Sequence, residues 1–266
     1  MHSPQADLTG WAATPFTAHG ITHDVFYKGE GPGVIVIPEV PGIHPAVLGL
    51  GNHLVDNGFH VAMPSLFGTP GRPASLGYAV ATLARICVAK EFAAFATNAN
   101  RPVAQYLRAL AREVNSHTPG RGIGVIGMCF TGGFALAAAV DASVLAPVLS
   151  QPSVPLPLTR SRRRDPGVSE DELAVIADRG RKDGLCAMAL RFSEDRFAPE
   201  ERFATLRARL GDAFEEIRID SSAGNDHGFG RMAHSVLTDQ LREIEGHPAL
   251  EARDRVVKFL TQRLTN

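Results

Sequence analysis

Short apolar runs alternate with longer stretches of helical periodicity along most of the chain. The apolar runs are bounded by Gly, Pro or polar residues, which is typical of buried strands. They lie at residues 34–37, 59–64, 123–126, 144–149, 185–192 and 214–219. Helices are predicted at residues 45–57, 79–96, 102–114 and 131–139, from residue 169 onwards, and at 199–210 and 248–264.

This alternation predicts the α/β class, with a mostly parallel sheet and helices on both of its faces. Right-handed crossovers would then bring the carboxyl ends of the strands to one edge, where sites gather in such folds. We expect a single domain over residues 1–266 with a short N-terminal extension at about 1–20. The stretch 151–168, rich in Pro and Arg, is predicted to be a loop-rich insertion.

One junction between a strand and a helix carries a cysteine at its apex. The apolar run 123–126 ends at Gly127-Met128-Cys129, and a helix pattern of small residues follows. This is where α/β-hydrolases place their nucleophile, and the positive end of the following helix would favour a thiolate. The usual spacing is glycine on both sides of the nucleophile, but Thr131 takes the second position. The alternative is an inert buried cysteine, since free cysteines are often buried.

Composition and charge restrict the possible partners and location. The chain has 266 residues, of which 44% are hydrophobic and 21% charged, with a net charge of −1. This balance favours neither nucleic acid nor an anionic membrane surface as a partner. No apolar run approaches the about 18 residues of a membrane span, and the first residues do not resemble a signal peptide. Cys87, Cys129 and Cys186 cannot all pair within the chain, so we expect a cytoplasmic setting.

Two further residues at predicted strand ends suit a nucleophile's partners. Asp195 follows the run 185–192, and His227 follows the run 214–219 in a polar loop that contains glycines. The order Cys129, Asp195, His227 is the α/β-hydrolase order of nucleophile, acid and base. His227 would take the proton of the thiol, and Asp195 would orient the imidazole. Alternative carboxylates stand beside these residues, at Glu194 and Asp226.

The loop after the first apolar run faces the same predicted edge. Its Glu39 is either a solvated loop residue or a carboxylate that exchanges a proton with the thiol. In α/β-hydrolases the corresponding loop supplies one oxyanion donor, which here would be the N–H of Val40, paired with the N–H of Phe130. The planar guanidinium groups of Arg231 and Arg85 are candidates for binding a substrate carboxylate. For a lone arginine, a surface salt bridge is the alternative.

Together these segments resemble the dienelactone hydrolase family, from about Gly31 to the C-terminal helix. The matching segments are Pro-Glu-Val-Pro-Gly at 38–42, Gly-Met-Cys-Phe-Thr-Gly-Gly at 127–133, Glu-Asp-Arg-Phe-Ala-Pro at 194–199 and Asp-His-Gly-Phe-Gly-Arg at 226–231. Met128, Thr131 and the long segment 151–167 depart from the family pattern. The resemblance implies an α/β-hydrolase fold and a cysteine-dependent hydrolase of lactone or ester bonds, without metal or organic cofactor. It also implies that Glu39 controls ionisation of the cysteine and that Arg231 binds a substrate carboxylate.

We therefore expect a hydrolase that opens an unsaturated lactone or a small carboxylate-bearing ester through an acyl-enzyme. Its partner would be this small molecule, with neither nucleic acid nor membrane, and the protein would be a monomer or homodimer. A general esterase or thioesterase of the same fold is one alternative. A non-catalytic binding or thiol-redox protein on this scaffold is the other.

Overall fold

A computed structural model describes residues 7–92 and 101–265. Eight strands form one sheet in the order β1-β2-β4-β3-β5-β6-β7-β8. They are β1 Ala12–Ala18, β2 Ile21–Lys28, β3 Gly33–Ile37, β4 His60–Pro64, β5 Ile123–Met128, β6 Val144–Ser150, β7 Ala187–Phe192 and β8 Phe214–Ile219. The six strands from β3 to β8 run parallel, whereas β1 and β2 are antiparallel to their neighbours. The mostly parallel sheet of the prediction is confirmed.

Helices cover both faces of this sheet. They are α1 Pro45–Asp56, α2 Leu76–Val88, α3 Pro102–His117, α4 Gly132–Ala138, α5 Arg160–Arg164, α6 Glu170–Lys182, α7 Glu200–Leu210 and α8 Pro248–Leu264. The alternation of side chains along β3 divides the core in two: Val34 and Val36 pack with α1 and α8, whereas Ile35 and Ile37 pack with α3 and α4. Apolar residues on both sides explain the continuous apolar run of this strand. Among the described residues, no helix is both long and apolar enough to cross a membrane.

The N-terminal region holds a hairpin that the sequence analysis treats only as an extension. Strands β1 and β2 pair along their whole length, and β2 joins the sheet beside β4. Most of β1 is exposed and it contains Pro15, so it lacks the apolar signal of the central strands. Proline is tolerated there because β1 is an edge strand of the sheet.

Helix α2 differs from the predicted helix at 79–96. It begins at Leu76, where the Ser75 hydroxyl accepts a hydrogen bond from the backbone N–H of Tyr78, and it ends at Val88. The last part of the prediction, from residue 93, lies outside the described residues. Helix α6 begins next to the predicted start at residue 169, and Ser169 is its N-cap, since Ser169 and Glu172 accept hydrogen bonds from each other's backbone N–H. Both caps satisfy N–H groups that have no partner within the helix.

Buried arginines anchor the insertion 151–168 to the domain: Arg101 donates to the carbonyl oxygen of Gly167, and Arg202 makes most of the contacts. The guanidinium of Arg202 is fully buried and donates hydrogen bonds to backbone carbonyls of this segment. Those carbonyls belong to Pro152, Pro155, Arg162 and Asp165, at 2.5 to 2.9 Å. Burial lowers the pKa of Arg202 to about 10, so the group stays charged at neutral pH. The segment therefore keeps a fixed path across the carboxyl end of the sheet.

Candidate active site

The turn after β5 holds Cys129 in an unusual backbone conformation. Its φ angle is +53°, in the left-handed region that side chains rarely adopt. The turn is tight, because a Cβ on Gly127 would lie 2.3 Å from the carbonyl oxygen of Thr131. Strain of this kind clusters at functional sites, where the surrounding structure maintains it. The sulfur stands at the carboxyl end of the sheet and is partly exposed.

Thr131 and Gly132 explain the departure from the usual glycine spacing. The Thr131 hydroxyl accepts a hydrogen bond from the Met128 N–H at 3.0 Å and lies 3.0 Å from the carbonyl oxygen of Ile37, to which it can donate. It thereby ties the turn to the end of β3. A Cβ on Gly132 would come within 2.6 Å of Pro152 in the insertion. The close approach that requires glycine thus falls one residue later in this chain.

Asp195 and His234 form the strongest polar pair near the thiol. Asp195 is buried, and its Oδ2 lies 2.7 Å from Nδ1 of His234. The other carboxylate oxygen accepts hydrogen bonds from the N–H groups of Phe197 and Ala198. The imidazole of His234 also interacts electrostatically with Cys129, and Ser153 Oγ contacts both side chains, at 3.3 Å from Nε2 and 3.8 Å from Sγ. Nucleophile, histidine and carboxylate therefore make a continuous chain of side chains.

The surroundings of His234 favour its charged form. Burial by itself would lower its pKa, but the negative charge of a Cys129 thiolate and the hydrogen bond to Asp195 oppose burial. Together these contacts hold the pKa of His234 well above its usual value. The phenyl ring of Phe197 packs edge-on against the imidazole, with centroids 5.8 Å apart. The surroundings of His234 therefore favour an imidazolium beside the sulfur of Cys129.

The structure corrects the predicted base, because His227 does not reach Cys129. Its side chain is exposed, and its ring lies 6.3 Å from that of Phe229 and 6.2 Å from that of His247. Phe229 is buried against Phe192, so the chain turns back at this point and leaves His227 on the outside. The sequence analysis missed His234 because it lies further along the same connection, without a glycine-rich motif. The buried Val236 and Leu237 that follow it are the signal that indicates an inward segment.

Glu39 lies in a buried polar network. One carboxylate oxygen accepts hydrogen bonds from Gln151 Nε2 at 3.2 Å and from Ser235 Oγ at 2.8 Å. The other accepts from Thr238 and lies 3.7 Å from Nε2 of His44. Burial would raise the pKa of Glu39, but the nearby His44 imidazole and the hydrogen bonds from Thr238 and Ser235 outweigh burial and lower it. The carboxylate therefore connects the end of β3 to the segment that carries His234.

This network bears on the role that the resemblance implies for Glu39. Among the hydrogen bonds of the described residues, those of Glu39 go to this network and none goes to Cys129. Its contact with the base is indirect, since Ser235 is the neighbour of His234 in the chain. The structure thus places the carboxylate where it holds the segment that carries His234.

Two adjacent loops contain the predicted oxyanion donors. In the parallel pairing of β3 with β5, Ile37 lies opposite Gly127. Val40 and Phe130 each lie three residues beyond these register partners, at the edge that holds Cys129. The two N–H groups therefore belong to neighbouring turns, as the predicted oxyanion hole requires.

The two predicted substrate arginines line different clefts. Arg231 is exposed beside Asp195, in a cleft of about 240 Å³ that also contains Arg196, Phe197 and Met232. Arg85 is exposed on α2 and lines another cleft of about 280 Å³. Of the two, Arg231 lies in the cleft closer to His234, because this cleft includes Asp195 and Phe197, both of which contact that histidine.

A strained residue after β5, an acid after β7 and a histidine after β8 occur in the chain order of α/β-hydrolases. The sheet, with parallel strands from β3 to β8, is the sheet of that class. The sequence matches the dienelactone hydrolase family over residues 24–264. The protein therefore belongs to the dienelactone hydrolase family.

Solved structures agree with this fold. A protein from Klebsiella pneumoniae subsp. pneumoniae described as a dienelactone hydrolase is 17% identical, with a TM-score of 0.63 over 95% of this chain and 98% of its own. A metagenomic dienelactone hydrolase-like promiscuous phosphotriesterase, P91, is 12% identical, with a TM-score of 0.64 over 96% and 98%. A dienelactone hydrolase from Anabaena variabilis is 11% identical, with a TM-score of 0.56 over 96% and 98%. Among curated proteins, no sequence matches the chain.

Proposed function

We propose that this protein is a cysteine-dependent hydrolase that opens an unsaturated lactone or a small carboxylate-bearing ester through an acyl-enzyme. The observation that carries the proposal is the chain of contacts from Cys129 through His234 to Asp195. A nucleophile, a base in contact with it and a carboxylate that orients the base are the requirements of nucleophilic acyl transfer.

In the first half-reaction, the Cys129 thiolate attacks the carbonyl carbon and forms a C–S bond. The N–H groups of Val40 and Phe130 hold the resulting oxyanion. When the intermediate collapses, the C–O bond breaks and the leaving oxygen takes the Nε2 proton of His234. In a lactone, this oxygen stays attached to the acyl group as a hydroxyl or an enol.

In the second half-reaction, neutral His234 removes a proton from water. The resulting hydroxide attacks the thioester, the C–S bond breaks and the thiolate is restored beside the imidazolium. Asp195 stabilises the charged imidazole in both half-reactions and keeps Nε2 directed at the sulfur. No step requires a group that these side chains and water do not supply.

The cleft beside the base supports an anionic substrate. Arg196 and Arg231 bring two guanidinium groups to its rim, and Phe197 and Met232 supply exposed apolar surface. A planar guanidinium pairs well with a carboxylate, while an unsaturated ring suits the apolar wall. We assign Arg231 to binding of the substrate carboxylate. Arg85 lines a separate cleft, so it would contact only a longer substrate.

The first test is the loss of absorbance of cis- and trans-dienelactone with the purified protein. We expect turnover in the wild type and at least about a thousandfold loss in Cys129→Ala, as is usual when a nucleophile is removed. Rapid quenching and mass analysis should find the acyl group on the peptide that contains Cys129. An alanine variant that hydrolyses at the wild-type rate would refute the proposal.

Aryl esters and thioesters, assayed in parallel, test the substrate class. A kcat/KM for dienelactone at least about tenfold above that for a neutral aryl ester supports a carboxylate-bearing substrate, since one lost ion pair accounts for such a ratio. Arg231→Ala should then raise KM for dienelactone and leave the neutral ester unchanged. Equal kcat/KM values for dienelactone and for the other esters would indicate a general esterase rather than a lactone hydrolase.

A further inference from the structure

Ser153 is a buried hydroxyl beside the thiol to which the triad assigns no role. Its Oγ lies 3.3 Å from Nε2 of His234 and 3.8 Å from Sγ of Cys129. Its backbone N–H donates a hydrogen bond to the carbonyl oxygen of Cys129 at 2.9 Å. The side chain is in contact with both groups that exchange the proton, and only 4% of the residue is exposed.

The hydrogen bonds of Ser153 indicate how its hydroxyl is oriented. The shorter donor contact goes to the carbonyl oxygen of Gln151, at 3.0 Å. A hydroxyl has one proton and two lone pairs, so donation to Gln151 directs a lone pair towards His234. An imidazolium carries a proton on both ring nitrogens, and Asp195 already accepts the one on Nδ1.

We propose that Ser153 is the second acceptor for the Nε2 proton of His234, and that it stabilises the imidazolium while the sulfur is engaged with substrate. This inference rests on the proposed function. Before attack, the thiolate and Ser153 Oγ, which lies 3.3 Å from Nε2, share the Nε2 hydrogen bond. Once the C–S bond has formed, the sulfur is a weak acceptor, and the proton would lack a partner until the C–O bond breaks. During this interval, Ser153 accepts the Nε2 hydrogen bond. The leaving oxygen then takes the proton when the C–O bond breaks.

The position of Ser153 is fixed from both sides. On one side, the Gln151 side chain binds Glu39 and accepts from the N–H of Val236. On the other, Arg202 holds the carbonyls of Pro152 and Pro155. A hydroxyl held in this way loses little entropy when it accepts a hydrogen bond from the imidazolium, which makes it an effective partner.

The charged groups that face His234 are the carboxylates of Asp195 and Asp239 and the thiolate of Cys129. Ser153 adds no charge to this set. Replacing its hydroxyl therefore tests one hydrogen bond without changing the net charge around the base.

The experiment compares Ser153→Ala with Ser153→Thr and, as a matched control in the same segment, with Ser161→Ala at an exposed position. The rate of alkylation of Cys129 by iodoacetamide is measured between pH 4 and pH 10, with mass analysis of the Cys129 peptide. In the alanine variant, we expect the pH at which alkylation reaches half its maximal rate to rise by about one unit, which corresponds to the loss of one hydrogen bond to a charged group. The threonine variant and the control should keep the wild-type profile.

Hydrolysis supplies the second measurement. Ser153→Ala should lower kcat about tenfold and leave KM within about twofold, because the acceptor acts after the substrate has bound. A wild-type alkylation profile together with a wild-type kcat in this variant would overturn the inference. Circular dichroism and Tm of each variant show whether the fold is intact.

The two proposals fail in different ways. A wild type that hydrolyses no ester or lactone, but whose alkylation profile shifts in Ser153→Ala, refutes the function and supports the hydrogen bond. Hydrolysis that is lost in Cys129→Ala but unchanged in Ser153→Ala supports the function and refutes the role of Ser153. Hydrolysis that survives in Cys129→Ala and is lost in Ser153→Ala refutes both, because Ser153 would then be the nucleophile.

Discussion

Two of the histidines in the connection from β8 to α8, His227 and His234, are held by different kinds of contact. His227 lies on an outward turn, where the Asn225 side chain accepts from its backbone N–H at 3.2 Å. His234 is held through its ring by Asp195, and its neighbour Ser235 binds Glu39. The contact at His227 orders only the local backbone. The contacts of His234 and Ser235 instead join this segment to Asp195 after β7 and to Glu39 after β3. The position of His234 is therefore set by contacts distant in sequence, which is what its proposed role as a base requires.

The largest difference between the two histidines should appear in activity. His234→Ala is expected to lower kcat/KM at least about a thousandfold, because both the proton acceptor and the partner of Asp195 are lost. His227→Ala removes only an exposed ring and should stay within about twofold of the wild type. Steady-state hydrolysis of one ester or lactone by both variants is the measurement. Equal losses would show that the connection adopts a different path in the working enzyme.

The next effect comes from the carboxylate that anchors the inward segment. Glu39→Gln replaces a buried charged acceptor of several hydrogen bonds and should cost about 1–3 kcal/mol of unfolding free energy. At about 2–4 °C per kcal/mol, Tm should fall by several degrees, and kcat should fall roughly tenfold as His234 becomes less fixed. Glu194→Gln, at an exposed carboxylate near Asp195, is the control for both measurements. A Tm equal to that of the control would contradict the anchoring role.

The same anchor should depend on pH with a defined sign. Because the pKa of Glu39 is lowered on folding, its contribution is complete above the unfolded pKa of about 4.3 and is lost as the pH falls through the folded pKa. The gap in Tm between the wild type and Glu39→Gln should therefore be constant near neutral pH. It should narrow below about pH 4. Calorimetry of both proteins from pH 3 to pH 7 checks this, and a gap that widens on acidification would reverse the assignment.

The smallest effect belongs to the turn around His227. Asn225→Ala removes hydrogen bonds to Ser222 and Phe229 and should cost about 1 kcal/mol of unfolding free energy. Because this turn does not position His234, kcat should stay within about twofold. Denaturant unfolding and one activity assay are sufficient. A large loss of activity would show that the outward turn and the inward segment are coupled.

Most of the fold could be predicted because the buried strands are marked by their apolar runs. Strand β1 could not be predicted, since its residues are mostly exposed and it is held in the sheet by its pairing with β2. In the candidate site, Cys129 and Asp195 follow strands closely, so their positions were predictable from the strand ends. His234 lies far along a connection, and its place depends on Glu39 and on the burial of Val236 and Leu237. Neither the short strand run nor a local motif contains that information.

The cleft beside the base has a consequence for how this enzyme changes over generations. Phe197 is 48% exposed and Met232 is 77% exposed, and Arg231 lies at the surface between strand ends. Surface positions of this kind tolerate substitution with little loss of stability. Under the proposed function, inherited changes at this rim alter which molecules are accepted, while the buried residues that hold the histidine stay as they are. Such a layout lets new substrates be acquired one substitution at a time.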